Sequence, residues 1–344
     1  MTKLRVAING FGRIGKLTFK LLLEKKNIEV VAINDLMDTN TLVHLLKYDS
    51  IHGKFEAPIQ VLEDQITVKG QKVRMYSQKD PADLPWKSLD VDLVIEATGR
   101  FTHREGAERH LVAGAKRVII SAPAQSKDIP TVVLGVNEGI LSGEETIISN
   151  ASCTTNCLAP MVKILDDAYG VDKAFISTVH AYTADQNIQD APHRDLRRAR
   201  AASCSIIPTT TNAAKAVELV LPHLSGKLHA MAYRVPVPDG SLTELNVVLQ
   251  QETNLQEIKK LFKSASKESM QGILAYTEDP IVSSDIIGNP YSCIFDSDLT
   301  VVQGNFVKII GWYDNESGYS NRMLDLIQKL IQIKSPKSTH FRAH

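Results

Sequence analysis

Four groups of residues in this chain have the types and spacing that chemistry needs. Cys153 lies in Ser152-Cys-Thr-Thr-Asn-Cys157, where a helix should begin. A thiol at a helix N-terminus has its thiolate stabilised by unpaired backbone N–H groups and the helix dipole, which makes it a nucleophile near neutral pH. The competing reading is a small buried hydrophobe, the commonest fate of a free cysteine, and the local sequence leaves both open. Cys157, one turn further on, lacks the end effect and reads as structural. His180, in Val179-His-Ala-Tyr-Thr183, ends a short β-run from Phe175. Such a histidine can take the Cys153 proton and later move a substrate hydroxyl proton, although a lone His is more often a satisfied surface or core residue. The remaining histidines are too scattered to suggest a metal site, and none is expected.

The second pair of groups binds rather than reacts. Gly10-Phe-Gly12-Arg-Ile-Gly15 is a G-x-G-x-x-G, and Asp35 follows Gly15 by 20 residues. The glycines let backbone approach a pyrophosphate at the positive end of a helix, and the carboxylate binds the adenosine ribose hydroxyls. Asp35 repels a 2′-phosphate, so NAD is expected over NADP. Arg194, Arg197, Arg198 and Arg200 crowd one loop, Arg234 sits in Tyr233-Arg-Val-Pro236, and Thr209-Thr-Thr211 lies close in sequence. Arginine with threonine hydroxyls and backbone N–H groups holds phosphate, whereas the same charges on a solvated face hold nothing. Non-specific RNA binding is the lesser reading, because aromatic residues do not interleave the basic ones.

The elements that must position these residues follow from hydrophobic period. Leu4–Ile8 reads as a strand, Ile14–Leu23 as a helix and Ile28–Ile33 as a second strand, making one right-handed βαβ unit with the glycines in its first turn. Val91–Ile95 and Lys116–Ile120 are further near-continuous apolar strands of a parallel sheet, whose ligands collect at the strands' C-terminal ends. From about residue 151 the texture changes. A helix starts within Ser152 to Asn156, a basic loop spans Thr183 to Ser203, strands alternate over 230–235 and 243–250, and Leu255 to Ser266 is amphipathic. The fold class is α/β: an N-terminal Rossmann dinucleotide-binding domain over 1–151, completed by a C-terminal helix over 318–334, with an α+β catalytic domain over 152–317. The tail from Ser335 is expected to fray.

Composition excludes several classes. The 344 residues carry 39 Lys plus Arg against 39 Asp plus Glu, which argues against affinity for nucleic acid or membrane surfaces through bulk charge. With 43% hydrophobic and 23% charged residues the chain builds cores rather than staying disordered. Its 4 cysteines are too few for a disulfide framework and fit a reducing compartment. The N-terminus has no signal-peptide pattern and no apolar run reaches spanning length, so the chain reads as soluble and cytoplasmic.

Taken together, Asn9-Gly-Phe-Gly-Arg-Ile-Gly15, Ala151-Ser-Cys-Thr-Thr-Asn-Cys-Leu-Ala-Pro160, His180-Ala-Tyr-Thr183, Asp195-Leu-Arg-Arg-Ala-Arg200, Arg234-Val-Pro and Trp312-Tyr-Asp-Asn-Glu316 resemble phosphorylating glyceraldehyde-3-phosphate dehydrogenases. The resemblance runs from about residue 3 to residue 330, and the segment around Cys153 is its most specific part. It implies a homotetramer acting on D-glyceraldehyde 3-phosphate and inorganic phosphate with NAD, with no membrane and no dedicated nucleic-acid site. Cys153 would form a thiohemiacetal, then a thioester that phosphate cleaves to 1,3-bisphosphoglycerate, with His180 as base.

Carried over residue by residue, Gly10, Gly12, Arg13 and Ile14 lie at the pyrophosphate, Asp35 at the ribose, Lys79 and Ser121 along the cofactor, and Asn315 at the nicotinamide carboxamide. Thr183 and Arg234 match one phosphate site; Ser152, Thr154, Thr211 and an arginine of the triplet, best Arg198, match the other, beside Asn212. The chain departs from the family at Lys79, often Arg, at Asn212, commonly Gly, and at Ser317, usually bulky. Erythrose-4-phosphate dehydrogenase is the nearest rival, and Thr183 with Thr209-Thr-Thr211 fits the triose enzyme better. A Cys–His hydrolase would leave the glycine loop and Asp35 without a purpose.

Overall fold

The computed structural model describes residues 3–334. Ten strands and three helices come first: β1 (Leu4–Asn9), α1 (Arg13–Leu22), β2 (Ile28–Asn34), α2 (Thr39–Lys47), a small hairpin β3 (Tyr48–Asp49) and β4 (Gly53–Lys54), then β5 (Ile59–Leu62), β6 (Gln65–Val68), β7 (Gln71–Tyr76), β8 (Leu93–Glu96), α3 (Arg104–Val112), β9 (Val118–Ile120) and β10 (Ile147–Ser149). Eight of these strands form one sheet in the order β10-β9-β8-β1-β2-β7-β6-β5. The first six positions are parallel, and β6 and β5 add an antiparallel edge. Strand order reverses between β1 and β8, the switch point where a doubly wound sheet opens a crevice.

The rest of the chain builds a second sheet. α4 (Cys153–Tyr169) leads to β11 (Val171–Ala181), β12 (Ile207–Thr210), α5 (Ala213–Val220), β13 (Leu228–Val235), β14 (Ser241–Leu249), α6 (Leu255–Lys267), β15 (Leu274–Thr277), β16 (Cys293–Gln303), β17 (Phe306–Tyr313) and α7 (Ser317–Lys334). Its order is β12-β13-β11-β14-β17-β16-β15, largely antiparallel. One face is buried under α4, α5 and α6, where Leu158, Val162, Val217, Ile258 and Phe262 meet Ile176, Leu245 and Ile309. On the other, Phe175, Met231 and Phe306 stay exposed.

Helix α7 does not belong to that second core. Tyr319, Met323, Ile327 and Leu330 pack with Phe19 and Leu22 of α1 and with the first sheet. Cys153 is packed against both cores, so the nucleophile candidate sits where the two sheets' cores meet. The tail from Ser335 lies outside the described residues. The hydrophobic period located β1, α1, β2, β8, β9, β13, β14, α6 and α7 within about two residues and began β11 four residues late, whereas α2, β3–β7, α3, β10, β12, α5 and β15–β17 carried no expectation. Their strands are short or carry polar residues on exposed faces, as in Gln65–Val68, which weakens the alternation.

Candidate active site

Each glycine of the first loop does a different thing. Gly10 has φ +93°, and a Cβ there would lie 2.6 Å from the Thr98 backbone nitrogen. Gly15 lets α1 press on the loop, since its Cβ would meet the Gly10 carbonyl oxygen at 2.1 Å. Gly12 has nothing within 4 Å of a would-be Cβ, so its bare backbone faces the open crevice. No side chain caps α1 at Gly12, which leaves the first-turn N–H groups of Arg13 and Ile14 to an anion. A cleft of about 310 Å³, within the range of ligand clefts, runs past Gly10, Gly12, Asp35, Leu36 and Lys79. These observations fit a dinucleotide.

Asp35 anchors the far wall, its carboxylate accepting from Phe11 N at 2.7 Å and Met37 N at 3.0 Å. Arg100, Thr98 and Phe101 line the same cleft and carried no expectation. Their signal was Thr98-Gly-Arg100 directly after an apolar strand. Ser121 follows β9 at its C-terminal end, where its N–H reaches the Glu96 carbonyl. Arg13 offers only its backbone, because its guanidinium is held by Glu316, 2.8 Å from Nε, and by Asp49 at 2.9 Å. Gly12→Ala is expected to leave thermal stability within about 1 kcal/mol while lowering NAD affinity at least about tenfold. Gly15→Ala should instead lower the melting temperature without cofactor, and thermal scans with and without NAD separate the two.

Cys153 is the first residue of α4, and Ser152 caps that helix, its Oγ accepting from Thr155 N at 3.1 Å. The chain reaches this point through Ala151, a buried non-glycine residue at φ +55°, a strained conformation that persists only where surroundings enforce it. Tyr319 OH donates to the Ala151 carbonyl at 3.0 Å, and Asn156 Nδ2 holds the Asn150 carbonyl at 2.8 Å. Cys153 Sγ lies 3.4 Å from His180 Nε2, so two residues separated by 27 positions meet. His180 is buried at the end of β11, with the Tyr313 ring edge-on against it.

Burial and the Arg234 charge hold the His180 imidazole far below its usual range, at about 3. Burial pushes the Cys153 thiol above its ordinary value, and Arg234 offsets only part of that. The expectation that the helix start makes Cys153 a thiolate near neutrality is therefore corrected for the free chain. Desolvation outweighs the helix-end effect, and the thiol needs a neutral imidazole to take its proton. His180 Nδ1 is 2.7 Å from the Ala181 carbonyl and 2.8 Å from Arg234 Nη1. Those two contacts exclude one another. When Nδ1 accepts from Arg234 the proton sits on Nε2; when Nδ1 donates to Ala181, Nε2 is free to accept from the thiol.

Two cationic positions flank the pair. Arg234 also donates to Thr183 Oγ1 at 3.2 Å, and its buried Nε has no partner. Arg198 Nη1 donates to Asp185 at 2.8 Å and its Nε to Thr209 Oγ1 at 2.9 Å, while Thr183 Oγ1 donates to the same Asp185 carboxylate. Arg198 is therefore the inward arginine of its loop, and Arg200 is exposed against Asp190. Thr209, not Thr211, touches Arg198; Thr211 Oγ1 accepts from Ala213 N, and Asn212 stands at the start of α5 without a side-chain cap bond. The Thr154 hydroxyl is tied to Tyr313 OH at 3.0 Å, so at an anion site it would first have to leave that partner.

Asn315 is buried just after β17. Its Oδ1 accepts from Ser241 Oγ at 2.7 Å, and Ser241 Oγ in turn accepts from Ala181 N at 3.1 Å. The segment after β17 is thereby tied to the strand that carries His180. Ser241 carried no expectation, for nothing in a half-buried alternating strand marks one serine.

A parallel doubly wound sheet with a bare glycine loop, joined to a second sheet that carries a Cys–His pair at the junction, defines a two-domain, cysteine-dependent dinucleotide dehydrogenase. Residues 4–104 match the model of the NAD-binding domain of glyceraldehyde 3-phosphate dehydrogenase, and residues 152–315 match the model of its C-terminal domain. The chain is 58% identical over 327 residues to glyceraldehyde-3-phosphate dehydrogenase of Streptomyces coelicolor, covering 94% of this chain and 97% of that relative. It is 56% identical over 326 residues to glyceraldehyde-3-phosphate dehydrogenase 2 of Streptomyces avermitilis, at the same coverage of each chain. The corresponding enzyme of Thermotoga maritima is 55% identical over 332 residues, 96% of this chain and 99% of its own. The chain belongs to the glyceraldehyde 3-phosphate dehydrogenase family.

Proposed function

We propose that this protein catalyses the NAD-dependent oxidative phosphorylation of D-glyceraldehyde 3-phosphate to 1,3-bisphosphoglycerate, a step of glycolysis that runs in either direction. The observation that carries the reading is the 3.4 Å approach of Cys153 Sγ to His180 Nε2, with arginines on both sides and a dinucleotide cleft beside it. Neutral His180 accepts the thiol proton as sulfur attacks the aldehyde carbon, giving a thiohemiacetal. The backbone N–H of Cys153 and the imidazolium face the developing oxyanion. The imidazolium hands that proton to the oxyanion to complete the thiohemiacetal hydroxyl, and His180, neutral again, takes it back as the carbon is oxidised to the thioester. NAD, when bound, supplies the hydride acceptor, and Gly12, Arg13 and Ile14 backbone, Asp35, Lys79, Ser121 and Asn315 would hold it. Phosphate cleaves the resulting thioester, leaving Cys153 free.

Thr183 and Arg234 would hold one phosphate, and Ser152, Thr154, Arg198, Thr211 and Asn212 the other, with Asp185 marking where an anion fits between the arginines. A phosphate at Arg234 draws its guanidinium from His180 Nδ1 and so favours the tautomer whose Nε2 accepts. The test is NADH formation with glyceraldehyde 3-phosphate, with and without inorganic phosphate. Burst-limited NADH without phosphate and turnover with it supports the reading, and phosphate-independent turnover overturns it.

The domain division falls at residues 151 and 152, with α7 returned to the first domain, because a strained Ala151 joins a sheet edge to a capped helix. A homotetramer accounts for exposed Phe175, Met231 and Phe306 on the bare sheet face and for Ile188, Leu196 and Ile206 in and beside the basic loop. Sedimentation tests it. A cytoplasmic location suits the four unpaired cysteines; among the described residues no helix is long and apolar enough to cross a membrane.

NAD is expected to exceed NADP in catalytic efficiency by at least about 100-fold, about 2.7 kcal/mol. A 2′-phosphate beside Asp35 sets like charges together in a partly desolvated cleft. Lys79 and Arg100 are the two cations that can oppose this repulsion. Asp35→Gly should narrow the gap by relieving repulsion and weakening NAD. Steady-state kinetics with both cofactors decides it.

A further inference from the structure

Beside Asn315 lies a charged cluster that the reaction does not use. Asp239 ends the turn before β14, and Asp314 and Glu316 flank Asn315 between β17 and α7. Ser241 pairs with Tyr313 in the sheet, so the Asp239–Ser241 and Asp314–Glu316 triplets face each other just past the strand ends. Ligand-type atoms of His52, Asp239 and Asp314 all lie within 4.8 Å of one another. Asp239 is fully buried; its Oδ1 accepts from Gly240 N at 2.9 Å and its Oδ2 has no hydrogen-bond partner. A buried carboxylate with an unpartnered oxygen beside a second carboxylate is not a stable arrangement unless one proton is shared.

Which carboxyl carries that proton follows from the donors. Asp314 accepts three backbone N–H groups, from Glu316 at 2.9 Å, Ser317 at 2.7 Å and Gly288 at 2.6 Å. A protonated Asp314 would give up that pattern, whereas a protonated Asp239 donates into it. His52 Nε2 lies nearer Glu316, at 2.9 Å, than Asp239, at 3.6 Å. Beyond Glu316 stand Arg13, with Asp49 behind it, and Lys16 on the next turn of α1.

We propose that Asp239 is a positioning residue for the cofactor end of the site: a proton shared with Asp314 ties the Asp239–Ser241 turn to the Asp314–Glu316 segment and so fixes Asn315. Glu316 carries the same connection to Arg13 at the first turn of the glycine-loop helix. Both ends of the cofactor cleft thus hang on one network. Burial and the neighbouring Asp314 push the Asp239 carboxyl up to about 8, so the shared proton is lost just above neutrality. Its loss leaves two facing carboxylates, drives the triplets apart and frees Asn315. The inference rests on the NAD-site reading given above.

The test uses the full-length protein. NAD affinity of the parent, followed by protein fluorescence without substrate, should fall at least about fivefold between about pH 7 and about pH 9.5, while Asp239→Asn, whose amide donates at every pH, stays flat. Asp239→Ala should be weak across the range. The cofactor-free melting temperature provides a second reading. For a carboxyl whose folded value is raised, stability is complete below the unfolded value and is lost as pH rises through the folded one. Asp239→Asn should therefore melt above the parent at about pH 9 and converge with it near about pH 4. A protonated-carboxyl infrared band in the parent at neutral pH, absent from Asp239→Asn, would support the assignment directly. Parallel pH profiles of parent and Asn variant overturn the proposal while leaving NAD binding intact; failure to bind NAD at any pH overturns the cofactor reading as well. Tight Mn²⁺ or Zn²⁺ binding that Asp239→Asn abolishes would put a cation where the proton is placed, and overturns it too.

Discussion

Cys153→Ser is expected to lower kcat by at least about a thousandfold, roughly 4 kcal/mol of barrier, with NAD affinity within about twofold of the parent. Serine is close to cysteine in size and every residue lining the dinucleotide cleft is unchanged, so cofactor affinity is expected to hold. What changes is the nucleophile. Burial that raises the thiol weighs on a hydroxyl as well, and a serine hydroxyl is several pKa units less acidic to begin with, so the ionised nucleophile becomes far scarcer. Stopped-flow absorbance separates the steps. The parent should give a burst of NADH and the variant none. A variant within about tenfold of the parent would rule out the covalent route, since that is only about 1.4 kcal/mol.

How much of this was legible in the sequence depends on whether a residue acts through its neighbours in the chain or across it. The glycine loop was legible because Gly10, Gly12 and Gly15 answer to local backbone needs: a positive φ, an open approach and a close packing. The start of α4 was legible because Ser152 is a capping residue in place, bonded to Thr155. The state of Cys153 was not. The helix-end effect is local and favours the thiolate, whereas the desolvation that wins comes from two cores that meet only in three dimensions. Arg13 shows the same limit. The family resemblance set it at the pyrophosphate, but Glu316 lies 303 positions away and takes its guanidinium. Ser241 and Asp239 were invisible, since each matters only because β14 pairs with β17. Thr209 and Arg198 were half legible: the basic loop and the threonine run were noted together, and which members touch had to come from the fold.

His180→Asn is expected to lower kcat by about 10²- to 10⁴-fold, the range of a positioned general base, and to slow alkylation of Cys153 near neutral pH. Both effects share one origin. In the parent the thiol sits above its ordinary value because its sulfur is buried, so alkylation should climb with pH through the neutral range without a plateau. The imidazole 3.4 Å from Sγ assists by accepting the proton, and asparagine cannot. An alkylation profile unchanged by the substitution would restrict His180 to proton transfer within the bound substrate. Acid stability supplies an independent reading. The folded His180 value lies at about 3, below that of the unfolded chain, so the unfolded state binds the proton first as pH falls. The stability contribution of the neutral imidazole is therefore complete above the unfolded value of about 6.5 and lost below it, at up to about 1.4 kcal/mol per pH unit until the folded value is reached. His180→Asn carries no such proton. Its urea midpoint should fall less steeply than the parent's between about pH 6 and about pH 4. Equal slopes would mean that His180 takes up its proton in the folded chain as readily as in the unfolded one, and that burial beside Arg234 does not depress it.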